Sequence, residues 1–261
     1  MSTPKSNSLT TTTEVNGVVV IFLFDFLPKH RTWAWLRLMQ GSSGLFKIFQ
    51  GLRFAKVMGS GESGGFGLRP SSTHQGLILM FDSLSNATEC IKSSEIKSYR
   101  EKTKEFWQGM LTVNSCRGSW DQKVWNSQDI GMSPLPNQEL TPYIGSLTRA
   151  SVKASKAMNF WRFAPAAQTD LQKANGCELA VGLGEAPIVR QCTFSIWRDT
   201  QSLISYAHGG AHLKAITAAQ KNNFFSESMF VRMNVIHMFG HWMGKSFDIN
   251  TDFMKPFALK S

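Results

Sequence analysis

Cysteine is scarce in this chain, and so is negative charge. The four cysteines, Cys90, Cys116, Cys177 and Cys192, stand far apart with no CxxC pair among them. That spacing argues against a zinc site and a disulfide framework, and a reducing cytoplasm is the expected setting. Aspartate and glutamate number 18 against 28 lysines and arginines, giving a formal net charge of +10. Such a surplus favours an anionic partner, and nucleic acid, an anionic membrane surface and an acidic protein all qualify. The basic residues are dispersed, with no zinc-finger, RNP or helix-turn-helix pattern, so no nucleic-acid partner is expected. Long apolar runs are missing too. Val18 to Phe24 is far shorter than the roughly 20 residues of a spanning helix and is expected to be a buried strand. Met1 to Thr13 is rich in Ser and Thr without the apolar middle of a secretory signal, so a flexible tail is expected there, as it is for Thr251 to Ser261.

What is present suffices for a large core, since 42% of the 261 residues are hydrophobic. Strand-like Val18 to Phe26 precedes an aromatic helical stretch, Thr32 to Met39, and then a second strand, Phe54 to Met58. Gly59-Ser60-Gly61-Glu62-Ser63-Gly64 is a literal G-x-G-x-x-G. A dinucleotide fingerprint must open a helix, whereas this loop leads through Arg69-Pro70 towards a strand at Gly76 to Phe81, which marks it as a turn. A helix that Asp82-Ser83 and Ser85 precede, running to about Trp107, and a strand from Met110 to Asn114 complete the order β-α-β-β-α-β. The order then recurs. A strand at Ile144 to Val152, a helical stretch from Lys156 to Lys173 kinked at Pro165, strands at Glu178 to Val181 and Val189 to Trp197, a helix from Asp199 to Asn222 and a strand at Met229 to Met238 follow one another. The expected fold is therefore α+β, with tandem ferredoxin-like repeats forming a dimeric α/β-barrel-type core. Its expected parts are a tail over 1–15, one unit over 16–125, a polar linker over 126–142, a second unit over 143–245 and a tail over 246–261.

Two histidines interrupt the second unit's last helix. His208-Gly209-Gly210-Ala211-His212 places a double glycine inside an apolar-periodic segment, at roughly 2 kcal/mol relative to alanine. A chain that bends there could present His212 from the start of a new helical piece to a large flat ligand, imidazole being a common ligand of iron. A surface pair with an ordinary glycine cap is the plainer alternative. The corresponding first-unit stretch, Cys90 to Ile96, has neither histidine nor double glycine, so the two halves are unequal here. Alternation along Met229 to Met238 puts Val231, Met233, Val235 and His237 on one strand face, where His237 is either a hydrogen-bonded core residue or a group near a bound ligand. Arg190 is either structural or a bidentate partner for a carboxylate. His74 and His241 are expected to be peripheral.

Several motifs carry a family resemblance that spans roughly Val18 to Trp242. They are Gly51-Leu52-Arg53-Phe54 leading to Gly59-Ser60-Gly61, Leu147-Thr148-Arg149-Ala150, Asn159-Phe160-Trp161-Arg162, Gly182-Leu183-Gly184-Glu185-Ala186-Pro187, Val189-Arg190-Gln191 with Thr193 to Trp197, and Gly209-Gly210-Ala211-His212. Together they resemble the spheroidene monooxygenase family of carotenoid-modifying oxygenases. The resemblance implies an oxidoreductase that oxidises an acyclic carotenoid end group at C-2, inserting oxygen twice to leave a ketone. It also implies haem b iron in the second unit, dioxygen as co-substrate, and electrons from a small redox protein such as a ferredoxin. On this basis His212 is the expected iron ligand with His208 as alternate, Arg190 pairs with a haem propionate, and His237 moves protons near bound oxygen. Trp33, Trp35, Phe160, Trp161, Phe163, Phe224 and Phe225 would suit a polyene tunnel, although core packing also accounts for such residues. A polyene substrate dissolves in bilayer, so peripheral contact with the inner face of the cytoplasmic membrane is expected. The competing expectations are a haem-binding barrel enzyme of peroxidase or dehydratase type acting on a small molecule, and a non-catalytic carrier.

Overall fold

The protein was described by a computed structural model covering residues 13–62, 69–126, 141–162, 164–186 and 188–249. In chain order the elements are β1 (Thr13–Asn16), β2 (Val18–Phe26), α1 (Arg31–Gln40), α2 (Leu45–Ile48), β3 (Leu52–Gly61), β4 (Pro70–Phe81), α3 (Leu84–Lys92), α4 (Ser94–Arg100), β5 (Thr103–Gly118) and β6 (Lys123–Asn126). They continue as β7 (Ile144–Val152), α5 (Ala157–Trp161), α6 (Ala164–Lys173), β8 (Cys177–Ala186), β9 (Arg190–Trp197), α7 (Thr200–Ala207), α8 (Gly210–Lys221), β10 (Phe225–Trp242) and β11 (Lys245–Ile249).

Strand period separates inside from outside. Along β2, Val19, Ile21 and Leu23 join one apolar cluster while Val18, Val20, Phe22, Phe24 and Phe26 join another, because successive side chains leave a strand on opposite faces. The strand is therefore apolar throughout, with both of its faces covered. The sheet runs β11-β10-β5-β2-β4-β3-β8-β9-β7, and a further β10–β7 pairing closes eight of its strands into an antiparallel barrel. Val19, Met58, Ile78, Trp107, Leu147, Phe194 and Met233 belong to the cluster that fills the barrel. The second cluster lies between the barrel wall and α1 to α4. Each half of the chain contributes four adjacent strands, in the orders β5-β2-β4-β3 and β10-β7-β9-β8.

The mixed α+β composition and the closed barrel agree with the barrel-type core expected from the sequence. Several boundaries moved. The expected helix to Trp107 ends at Arg100 and is broken at Ser93, whose hydroxyl accepts from the Ile96 N–H and whose backbone is extended (φ −60°, ψ 152°). Thr103 to Trp107 is strand, because Phe106 and Trp107 must face the two different cores. The Lys156 to Lys173 stretch is two helices, and Pro165 sits in the first turn of α6, where its missing N–H costs nothing. A strand does follow the Gly59 to Gly64 run, beginning at Pro70, whereas residues 63–68 lie outside the described set. Thr13 to Val15, expected as tail, pair in parallel with β6 as part of β1. Residues 246–249, likewise expected as tail, pair with β10 within β11. Most of the expected linker, residues 127–140, lies outside the described residues, as do Met1 to Thr12 and Asn250 to Ser261.

Candidate functional site: a charged barrel mouth and a split helix

Two places in the barrel combine polar chemistry with burial. The first is one mouth of the barrel. Lys56 replaces an apolar residue on the inward face of β3, between Phe54 and Met58, and Arg149 does the same after Leu147 on β7. Arg149 is 1% exposed, and its guanidinium meets Glu227, with Asp121 at 3.5 Å and Glu185 at 3.6 Å. Lys56 Nζ donates to Glu185 Oε2 at 2.7 Å and to Asp121. Arg190 approaches Glu185 at 3.8 Å from the rim. Three cations thus meet three carboxylates, as isolated buried charges require.

A tight turn closes this mouth. Asp121 (φ 50°) and Gln122 (φ 63°) both take the left-handed backbone of a two-residue hairpin turn between Trp120 and Lys123. Such a backbone is strained for glutamine and persists because the surroundings hold it. Here Lys56 holds Asp121, and Glu227 accepts from the Gln122 N–H at 2.9 Å and the Ser119 hydroxyl at 2.8 Å. Trp120 Nε1 donates to Glu185 Oε1 at 2.8 Å, and the Trp120 ring stacks on Trp125 above Phe54. Burial raises the Glu227 carboxyl, but the Gln122 N–H, the Ser119 hydroxyl and Arg149 outweigh it and leave it below its ordinary value. Burial likewise raises Asp121, and its bond to Lys56 with the nearby arginines brings it below as well. A depressed carboxylate stabilises the fold fully above the unfolded value near 4 and loses that contribution as pH falls through the folded value. Acid unfolding followed by tryptophan fluorescence should therefore begin below about pH 4. In a Glu227→Gln/Asp121→Asn protein that acid-induced loss should be smaller.

The second place is the outer face of the second half. In the first half the corresponding face is filled by Val18, Val20, Phe22, Phe24, Leu77, Leu79 and Phe81, all within 1% of full burial. In the second half the equivalent positions carry Ser146, Thr148 and Ala150 on β7 and Gln191, Thr193 and Ser195 on β9, and four of these six stay partly exposed. The cluster there is small, centred on Leu171, Trp197 and Leu203. Helix α8 packs chiefly on α6 and α7 instead of on the strands.

The helix breaks where the paired glycines stand. Asp199 caps α7, accepting from the Ser202 N–H at 2.7 Å, and Gly209 is the N-cap of α8. Gly210 has φ +55°, a conformation that strains an L-residue, and a Cβ there would lie 2.5 Å from an Asp170 carboxylate oxygen, which would have to shift. Gly210→Ala should cost about 1–2 kcal/mol in urea unfolding, the left-handed penalty of an L-residue, and more than Gly209→Ala, whose φ is −121°. His212 is half-buried in the first turn of α8. Its Nδ1 lies 3.5 Å from the Ala207 carbonyl, and its ring lies against Tyr206 at 4.5 Å, which in turn lies against Trp197 at 5.2 Å. Burial lowers its pKa, only partly opposed by the Ala207 carbonyl, and so favours neutral imidazole.

The other expected site residues are dispersed. His208 is exposed at the C-cap of α7. Arg190 begins β9 and Trp197, which marks the His212 end, finishes it, so about 23 Å of strand separates the ends and the structure does not bring Arg190 and His212 together. The alternation expected for β10 is corrected by a bulge between Val235 and His237. Beyond it Met238 and Trp242 take over the inward face, Ile236 joins the outer cluster, and His237 opposes Met110, itself outer. His237 is buried beside Gln108, with Nε2 of each 3.1 Å apart. The aromatics do not line one tunnel. Trp33 packs on Phe26 and Tyr99 and Trp35 is exposed, while Phe160 meets Trp161, Phe224 and Phe225 in the other half. Phe163 lies outside the described residues.

Sequence reasoning missed Lys56, Asp121, Arg149, Glu185 and Glu227 as a group. A signal existed, since Lys56 and Arg149 each stand alone at an alternating apolar position of a strand. Among the described residues no three His, Cys, Asp or Glu side chains gather as a metal site. A single imidazole suffices for haem iron.

A closed antiparallel barrel with helices outside defines the class of protein, and solved structures share it. Aldoxime dehydratase in complex with butyraldoxime superposes with a TM-score of 0.51 at 11% identity, over 87% of this chain and 81% of that one, a likeness of fold alone. No family model matches the chain. A spheroidene monooxygenase of Rubrivivax gelatinosus is 42% identical over 238 residues, covering 90% of this chain and 89% of its own. Another of that name, from Cereibacter sphaeroides, is 31% identical over 231 residues, covering 86% and 68%. The chain belongs to the spheroidene monooxygenase family and is an oxidoreductase, a monooxygenase.

Proposed function

We propose that this enzyme oxidises an acyclic carotenoid end group at C-2 to a ketone, using dioxygen and haem b. The observation that carries the carotenoid substrate is the identity of 42% over nine-tenths of the chain with a spheroidene monooxygenase. Haem is supported by the fit of the second half. A half-buried imidazole favoured in its neutral form has Nδ1 towards a carbonyl, and the adjoining outer face carries small side chains where the first half is filled with Phe, Val and Leu. The shared strand order of the halves supports their being tandem ferredoxin-like units.

When bound, haem would supply activation of dioxygen with electrons delivered from a small redox protein such as a ferredoxin. Each round consumes one dioxygen, two electrons and two protons, places one oxygen atom in a C–H bond and releases one water. After two rounds the geminal diol loses water to the ketone. His212 would hold the iron through Nε2, its ring oriented by Tyr206 and the Ala207 carbonyl. Its position depends on the helix break at Gly209-Gly210, and His208, across that break and exposed, is the alternate ligand. His237 pairs with Gln108 on the side of the first-half cluster, a placement that favours a hydrogen-bonded core residue over proton transfer near bound oxygen. Arg190 belongs with Glu185 at the barrel mouth, a placement that favours a role in holding the mouth over one at a propionate. The scattered thiols and the charge of +10 support work at the inner face of the cytoplasmic membrane, where a carotenoid resides.

Protein supplied with haem, a reducing system and an acyclic carotenoid should yield a ketone. Because a ketone exchanges its oxygen with water, the label from 18O2 should be read in the first, hydroxylated product. An alcohol carrying only water oxygen would exclude the monooxygenase chemistry on this substrate.

A further inference from the structure

The first half exposes an apolar surface that its own fold does not use. On α1, Trp35, Leu36 and Met39 are 56%, 50% and 59% exposed, and on α2, joined to it by residues 41–44, Phe46 and Ile48 are 43% and 52% exposed. The opposite side of α1 is already committed, with Ala34 buried, its carbonyl accepting from Gln75 Nε2 at 2.7 Å, and Trp33 packed on Phe26 and Tyr99. The outward residues are thus not a misplaced core. Five large apolar side chains on two short neighbouring helices exceed the scatter of single apolar residues that protein surfaces ordinarily carry.

The charge around them is of one sign. From residue 27 to residue 61 there are six lysines and arginines and no aspartate or glutamate. Lys56 is taken into the barrel mouth, and Arg37 faces Glu95 of α4 at 3.5 Å, so that acid is paired. Lys29, Arg31 and Lys47 remain exposed beside the apolar residues. Among the described residues no helix is long and apolar enough to cross a membrane, so attachment through this surface would be to one leaflet. An apolar face with a tryptophan, flanked by cations, combines the two signals that reversible attachment to an anionic bilayer needs.

We propose that the outward faces of α1 and α2 dock on an anionic lipid bilayer, Trp35, Leu36, Met39, Phe46 and Ile48 entering the headgroup boundary and Lys29, Arg31 and Lys47 meeting lipid phosphates. The choice of a bilayer rests on the membrane-dissolved substrate argued above, and the location rests on exposure and charge alone. None of these residues is among those that form the charged barrel mouth or that hold His212, so the docking surface and the chemistry can be altered separately.

Full-length protein should co-sediment with vesicles of phosphatidylcholine mixed with phosphatidylglycerol, and weakly with phosphatidylcholine alone. Trp35→Ser/Leu36→Ser/Met39→Ser should weaken binding to the mixed vesicles by at least about tenfold. Lys29→Gln/Arg31→Gln/Lys47→Gln should do the same there, while leaving the weak binding to phosphatidylcholine unchanged. Both variants should keep wild-type thermal unfolding and wild-type turnover of detergent-dispersed carotenoid. That last measurement separates a failed docking surface from a failed activity. Equal binding by wild type and both variants, or no binding by wild type, would overturn the proposal. So would a wild-type dimer that the serine variant converts to monomer, since the face would then be an interface between copies.

Discussion

Arg149→Met protein is expected to unfold on the order of 10 °C below the wild type, a loss of about 3–5 kcal/mol, because removing one member of a buried ionic group strands its partners. Arg149 is 1% exposed and faces Glu227, Glu185 and Asp121. Lys56 also serves two of those carboxylates, but Glu227 has no second cation among the ion pairs described. The cost should therefore concentrate at Glu227 and at the Ser119 to Gln122 turn that it holds. Calorimetry checks the size, and a second substitution checks the cause. Arg149→Met/Glu227→Met, which removes both charges, should recover part of the loss if stranded charge is responsible and none of it if lost packing is. A single variant within 1 kcal/mol of wild type would show that the mouth does not depend on this arginine.

On the proposal that the enzyme uses haem, His212→Ala protein supplied with haem is expected to lack the Soret band and the activity of the wild type, while His208→Ala keeps both. The two residues are separated by four positions and by the break at Gly209-Gly210, and they differ in environment. His212 is half-buried against Tyr206 with its protonated form disfavoured, whereas His208 is exposed at a helix end. Iron requires the neutral imidazole and a fixed ring, both of which His212 provides. Added imidazole should restore part of the spectrum of His212→Ala by occupying the space that the side chain leaves. If His208→Ala loses the band and His212→Ala retains it, the ligand assignment is reversed. If both retain it, the ligand lies elsewhere on the chain.

Much of the scaffold was legible along the chain because its causes are local. The continuous apolar run of β2 and the repeated order of elements announced a sheet covered on both faces. Gly209-Gly210 announced the split between α7 and α8, since the left-handed φ at 210 favours glycine. The helix that overran to Trp107 failed for the opposite reason. Residues 103–107 carry no local stop signal, and their state is set by pairing with β2 and, at Trp107, with β10 as well.

The sequence by itself determined most of the strands and helices and the break at Gly209-Gly210, through side-chain period, capping and glycine conformation. Only the tertiary structure decided what meets what. The bulge at Ile236 turns His237 from the barrel interior to its outside, and a bulge is a property of the ladder between two strands, invisible in either one. Closure of β10 on β7 brings Arg149 to Glu227 across 78 residues, and β3 beside β8 brings Lys56 to Glu185 across 129. Such pairs have no period and no spacing rule. They exist because a closed barrel places the ends of distant strands around one mouth, and because charges buried there are stable only in company.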